Sequence, residues 1–100
     1  MTPKIDRLRK KIDELDKKII RLIAERIELA STIADIKNQQ GIPLYSPERE
    51  KLIISSCRKE IENLGRKNMM EDIVNIMRYI MQKSYNKKIK KVHLILNKVL

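Results

Sequence analysis

The apolar face of the first predicted helix contains one cation, and a second cation follows on the same face. Counting in sevens from Ile5 and Leu8 reaches Ile or Leu at every position up to residue 36 except Arg26. Lys37 follows Arg26 at a spacing that, on an α-helix, is about 16 Å along the axis and about 20° around it. Arg26 and Lys37 therefore flank a gap that a small dianion could fill, because Arg binds carboxylates bidentately and Lys acts as a point charge.

Other polar residues adjoin the apolar faces of the later helices. Glu50 lies at the inward edge of the second helix beside Arg49, and Ser84 continues the apolar stripe of the third. Each has an ordinary structural interpretation as well, as a dipole partner, a solvated surface charge or a tolerated small core residue. Arg26 could likewise extend to solvent or pair with a carboxylate on its own helix. Individually, none of these residues is specific for a binding site.

These residues must be positioned by helices, and we predict an all-α chain that forms a single domain, 1–100. Thr2 can cap the first helix with Pro3 at its first position, and Gly41 can end it. The predicted helices span about 3–40, 47–64 and 68–90. The stripe of the third fails in a basic tail over about 87–100, whose last residues, VHLILNKVL, could form helical turns or a short strand.

The first helix is too long for one chain to cover. At about 1.5 Å per residue it is on the order of 55 Å long, which exceeds the width of a compact domain of this size. Arg9 lies about 25 Å before Arg26 and on another face, so the two cannot share a small ligand within one chain. In an antiparallel homodimer with residue 9 beside about residue 31 of the partner, they could. Two identical sites would follow from that symmetry.

Composition argues against several other classes of protein. Three Tyr, no Phe or Trp and only two Gly argue against a β-sandwich or barrel. The chain has no apolar run of about 18 residues and no signal peptide, so we expect a soluble protein without membrane contact. The lone Cys57 excludes an intrachain disulfide and fits the reducing cytoplasm. No catalytic triad, zinc cluster or phosphate loop can be assembled, and we expect neither a metal nor a cofactor.

Two segments resemble a known family: LRKKIDELDKKIIRLIAERIELASTIADIK (residues 8–37) and PEREK (residues 47–51). They are similar to the all-helical (AroQ-type) chorismate mutases, whose pattern is L-R-x-x-I-D-x-[LI]-D, then L-[IL]-A-E-R-x-x-L-A. The family pattern also includes a Lys eleven residues after the Arg of A-E-R, and an R-E pair that opens the second helix. The match covers residues 5–54 without a gap and continues more weakly to about residue 88. The resemblance implies an intertwined helical homodimer that rearranges chorismate to prephenate for Phe and Tyr biosynthesis.

The resemblance also implies the residues that clamp the substrate. Arg26 and Arg9 of the partner chain would hold the two carboxylates of chorismate. Lys37 would hold a carboxylate and the breaking ether oxygen. Such a rearrangement is pericyclic, so it requires positioning and electrostatic stabilisation rather than a nucleophile or a proton shuttle.

Further residues of the implied site either match the family pattern or depart from it. Glu50 would accept a hydrogen bond from the ring hydroxyl, Arg49 would support the site and Ser84 would bond a carboxylate. Ser46 stands where many members have an acidic residue, and the resemblance implies that a main-chain contact can serve there instead. Lys88 stands where the family commonly has Gln, or Glu in some branches, that donates to the ether oxygen. Lys88 could act as that donor or point to solvent with its basic neighbours.

Three alternative functions remain open at this level. An isochorismate pyruvate-lyase of the same fold would use the same cationic clamp. A non-catalytic basic helical dimer could keep the fold without the reaction. The net charge of +10 also permits a nucleic-acid-binding protein. That last reading leaves Arg26, Glu50 and Ser84 on apolar faces unexplained, and aromatic stacking residues are lacking, so we expect no nucleic-acid partner.

Overall fold

The computed structural model describes the backbone of residues 2–99 and the side chains of residues 2–84. The helices are α1 (Pro3–Gln40), α2 (Pro47–Asn63) and α3 (Met70–Val99), and a 3₁₀ turn, Lys67–Met69, leads into α3. The prediction of an all-α chain with three helices is confirmed for the described backbone. α3 continues beyond the predicted end near residue 90, so residues 92–99 are helical rather than extended.

Both ends of α1 are defined by the residues that the sequence places there. The Thr2 hydroxyl accepts a hydrogen bond from the Ile5 amide at 3.3 Å, which satisfies one of the free donors of the first turn. At the other end Gly41 adopts a left-handed conformation with φ 70°. Its neighbour Ile42 donates to the Lys37 carbonyl at 2.8 Å. A residue with a side chain would strain this turn, so α1 ends one turn after Lys37.

The start of α2 is fixed in a similar way. The Ser46 hydroxyl accepts from the Arg49 amide at 3.3 Å, and Pro47 occupies the first helical position. Glu48 and Glu50 lie in the first turn, where carboxylates are favoured by the helix dipole. The loop between α1 and α2 is therefore short, and it brings the first turn of α2 close to the last turn of α1.

The described side chains, residues 2–84, form almost no apolar core within the single chain. α3 packs against both α1 and α2, yet among the described side chains only Ile61 and Val74 are buried apolar residues. The radius of gyration is 18.0 Å, whereas a compact domain of 100 residues has about 13 Å. An elongated chain with so little buried apolar surface is poorly stabilised in isolation.

A row of exposed apolar side chains runs along α1. We call this row the α1 seam; it comprises Ile5, Leu8, Ile12, Leu15, Ile19, Leu22, Leu29, Ile33 and Ile36. Every member is exposed, from 41% at Ile5 to 67% at Leu29. Exposed apolar patches of this extent mark interaction surfaces. Among the described residues, no helix combines the length and the apolar content needed to cross a lipid bilayer.

Candidate active site

A cavity of about 450 Å³ lies where α1, the loop after it, the first turns of α2 and the middle of α3 meet. Its lining combines apolar side chains with a concentrated set of charges. The charged lining residues are Arg26, Lys37, Arg49, Glu50 and Arg78. Four cations and one carboxylate leave the cavity net positive, which suits a small anion with more than one negative charge.

The α1 wall is formed by one face of the helix over about three turns. Arg26 and Lys37 are both half-buried and line the cavity from its two ends. Ala30 and Ala34 line it between them. Because an alanine side chain is a single methyl group, this part of the wall leaves room for a ligand. The gap that the spacing predicts between Arg26 and Lys37 is therefore present as a cavity.

Lys37 is held in place by the loop that follows α1. Its ammonium Nζ donates a hydrogen bond to the main-chain carbonyl of Leu44 at 3.3 Å. An ammonium group has three N–H donors, and within the described residues the other two have no protein partner. The contact therefore fixes the position of the charge while leaving donors for a ligand in the cavity.

The α2 wall presents Ser46, Arg49 and Glu50 to the cavity. The Ser46 hydroxyl is used as the cap of α2, so its oxygen already accepts a backbone hydrogen bond. Glu50 is half-buried, and its amide donates to the Ser46 carbonyl at 3.1 Å. Within residues 2–84 its carboxylate forms no ion pair. It is the one carboxylate of the lining and is available as a hydrogen-bond acceptor.

The α3 wall contains Ser84, which the sequence predicts, and residues that it does not predict. The Ser84 hydroxyl donates to the Ile80 carbonyl at 3.0 Å, so it must rotate to donate to a ligand. Arg78, Met81 and Gln82 line the cavity as well. Their i, i+3, i+4 spacing places them on one face of α3, but the spacing alone does not indicate that this face borders a cavity.

Two predicted site residues do not line this cavity within the described structure. Arg9 lies on the N-terminal part of α1 and is absent from the lining. Lys88 and the predicted basic tail over 87–100 lie outside the described side chains. In the part of the chain whose side chains are described, no cluster of His, Cys, Asp and Glu is arranged to hold a metal ion.

Comparison with known proteins identifies relatives over most of the chain. The family model described as chorismate mutase type II matches residues 8–89. A chorismate mutase from Methanocaldococcus jannaschii is 43% identical over 94 residues, which are 94% of this chain and 91% of that protein.

Longer relatives match as well. A T-protein from Enterobacter agglomerans is 37% identical over 86 residues, 85% of this chain. A bifunctional chorismate mutase/prephenate dehydratase from Aquifex aeolicus is 38% identical over 94 residues, 91% of this chain. The chain spans only 22% and 26% of the lengths of these two proteins. No solved structure matches the chain significantly.

Proposed function

The chain belongs to the chorismate mutase type II family, and on that premise we propose that the cavity between α1, α2 and α3 is where it rearranges chorismate to prephenate. The enzyme is accordingly an isomerase with a place in aromatic amino acid biosynthesis. The observation that carries the proposal is that Arg26, Lys37, Glu50 and Ser84, which come from three helices, line one cavity.

The proposed reaction matches what this lining can do. Chorismate is a flexible dianion, and its conversion to prephenate breaks an ether C–O bond while a C–C bond forms. The enzyme must hold the substrate in a folded, reactive conformation, which is a positioning effect. It must also stabilise the negative charge that grows on the ether oxygen, which is an electrostatic effect. A net positive cavity with one acceptor supplies both effects without a nucleophile.

The roles of the α1 residues follow from their chemistry. Arg26 binds a carboxylate bidentately at one end of the cavity. Lys37, held by the Leu44 carbonyl, donates to a carboxylate and to the ether oxygen at the other end. Because that ammonium is positioned before the substrate binds, little reorganisation is needed when charge develops on the oxygen.

The remaining residues select and orient the substrate. Glu50 accepts a hydrogen bond from the ring hydroxyl, and Ser84 donates to a carboxylate after it releases the Ile80 carbonyl. Arg49 supports the site from the first turn of α2. Ser46 lines the site as well; its hydroxyl oxygen accepts the cap hydrogen bond of α2, and its O–H or its main chain contacts the substrate. Lys88 remains a candidate donor to the ether oxygen.

The active form in this proposal is an intertwined antiparallel homodimer. The α1 seam is exposed along its whole length in one chain, and a second copy of the long α1 would cover it. The same arrangement brings Arg9 of the partner to the carboxylates that Arg26 binds. We further propose that the chain forms one domain and acts in the cytoplasm on a small molecule, without a nucleic-acid partner.

A single assay tests the reaction. The purified chain is mixed with chorismate, its disappearance is followed spectrophotometrically and the product is identified as prephenate by chromatography against a standard. Parallel incubation with isochorismate measures pyruvate release. Prephenate formation at a rate well above the uncatalysed one supports the proposal. Pyruvate release without prephenate would assign the lyase reaction instead, and failure to bind chorismate would indicate a non-catalytic protein.

A further inference from the structure

Arg78 is a cation of the cavity to which none of the roles above is assigned. It lies on α3, its side chain is exposed and it lines the cavity. Within residues 2–84 it forms no ion pair, whereas Arg58 of α2 pairs with Glu71 of α3 at 3.2 Å. Because no carboxylate of the described residues pairs with Arg78, its guanidinium is available to pair with a carboxylate of the site when an anion binds.

A second cavity indicates which group that is. It measures about 580 Å³ and runs along the face of α2 that carries Lys51, Ser55 and Arg58. Three residues border both cavities: Tyr45, Glu50 and Arg78. These three residues therefore lie where the substrate cavity and the second cavity adjoin, and we call them the partition.

When a dianion binds, the Glu50 carboxylate in this partition is repelled by a like charge. This half-buried carboxylate must stay beside a dianion, and like charges at short range repel. The Glu50 carboxylate has an alternative orientation toward the second cavity, where it would meet solvent and further cations. If the carboxylate turned that way, it could no longer accept a hydrogen bond from the substrate. A cation that faces Glu50 and is not engaged by the substrate would prevent this.

Arg78 is the cation that fits this requirement among the described residues. Arg26 and Lys37 come from α1, and the proposed reaction engages both with the substrate. Arg49 and Lys51 are the sequence neighbours of Glu50 on α2, and adjacent residues of a helix do not face each other. Arg78 approaches from α3 and shares both cavities with Glu50.

We propose that Arg78 is a positioning residue for Glu50, and that its guanidinium holds the Glu50 carboxylate on the substrate side of the partition when the dianion binds. In that position the carboxylate accepts the hydrogen bond of the ring hydroxyl. The inference rests on the proposed function, because Arg78 has this task only in a site that binds a dianion.

A double-mutant cycle on the full chain tests the inference. Arg78→Met alone is expected to raise KM for chorismate about tenfold, the size expected for coupled neighbours. The kcat should stay within about twofold, because the hydroxyl contact is present in both the substrate and the transition state. In the Glu50→Gln background the same change should alter KM by less than about twofold, since no carboxylate remains to be held.

Two further variants separate positioning from a general charge or folding effect. Arg78→Lys keeps the charge and should recover most of the affinity. Lys83→Met removes one charge from the same helix. Lys83 lines neither cavity, and its ammonium Nζ lies over the Tyr79 ring, 5.2 Å from the ring centroid. The KM of this variant for chorismate should be unchanged.

Each other outcome overturns the inference. A tenfold effect of Arg78→Met that persists in the Glu50→Gln background would mean that Arg78 binds the substrate itself. An unchanged KM in Arg78→Met, an equal effect of Lys83→Met, or a fall in kcat alone would remove the assigned role. A native chain without mutase activity would overturn the proposed function and this inference together, whereas an active native chain with additive effects would overturn the inference alone.

Discussion

Leu22→Ala tests whether the α1 seam is the dimer interface that the active site needs. Leu22 is 62% exposed in the single chain, and complete burial of a leucine side chain contributes about 1.5–3 kcal/mol. Burial of the exposed share therefore contributes about 1–2 kcal/mol per chain, and about 2–4 kcal/mol for the two copies in a dimer. Each 1.4 kcal/mol corresponds to about a tenfold change in a dissociation constant. Loss of most of this burial free energy should therefore raise the dissociation constant of the dimer by about one to three decades.

Sedimentation equilibrium and activity measured across a dilution series report the effect together. Mutase activity per chain should fall at low protein concentration in Leu22→Ala, in step with the dimer fraction, because a single chain lacks Arg9 of the partner. Leu52→Ala is the matched control, since Leu52 is also 62% exposed but lies on α2 and lines neither cavity. A monomeric Leu22→Ala chain with full activity would refute the reasoning, as would equal weakening of the dimer in both variants.

Two substitutions test the stabilisation of the ether oxygen. Lys37→Ala removes the ammonium that the Leu44 carbonyl holds, and kcat/KM should fall by about two to three decades, the loss typical of one preorganised donor. Lys88→Gln should keep or raise kcat/KM in the same steady-state assay, because a neutral amide can donate to the ether oxygen without repelling Lys37. Small and equal effects of both changes would contradict the assigned site.

The sequence was most informative where one residue type has one structural use. Thr2, Pro3 and Gly41 delimit α1 because a side-chain cap, a fixed φ and a left-handed turn each favour those residues. The heptad spacing of Ile and Leu made Arg26 conspicuous, and the α-helical repeat then related it to Lys37. The cavity lining contains both residues, together with Ser46, Arg49, Glu50 and Ser84.

Arg78 and Gln82 were missed because their significance depends on tertiary packing. In the sequence, the apolar stripe that Ser84 continues passes through Ile73, Met77 and Ile80. A stripe this narrow is typical of a helix that packs on one side only. In the structure α3 packs against both α1 and α2. A helix between two neighbours presents a wider inward surface, so polar residues at the margin of its stripe border the cavity. No local pattern in the sequence specifies that rotation of α3.

The hydrogen bond from Lys37 to the Leu44 carbonyl could not be predicted from the sequence either, for a different reason. Every residue except proline carries the same main-chain donor and acceptor, so the side chain at position 44 says nothing about this role. The contact arises because Gly41 turns the chain back over the last turn of α1. The sequence signal for such a main-chain contact is therefore the glycine of the turn, Gly41, rather than the residue at position 44.

The length of α1 means that one chain would serve two active sites. Arg9 and Lys37 lie about 40 Å apart on this helix, so in the proposed antiparallel dimer each chain would give Arg9 to one site and Lys37 to the other. When Arg9→Ala and Lys37→Ala chains form a mixed dimer, one site carries both defects and the other carries neither. Random reassociation of equal amounts should therefore regain about a quarter of the native activity from two inactive preparations. Loss-of-function variants of this enzyme would thus fall into two groups that complement each other, according to which end of α1 they affect.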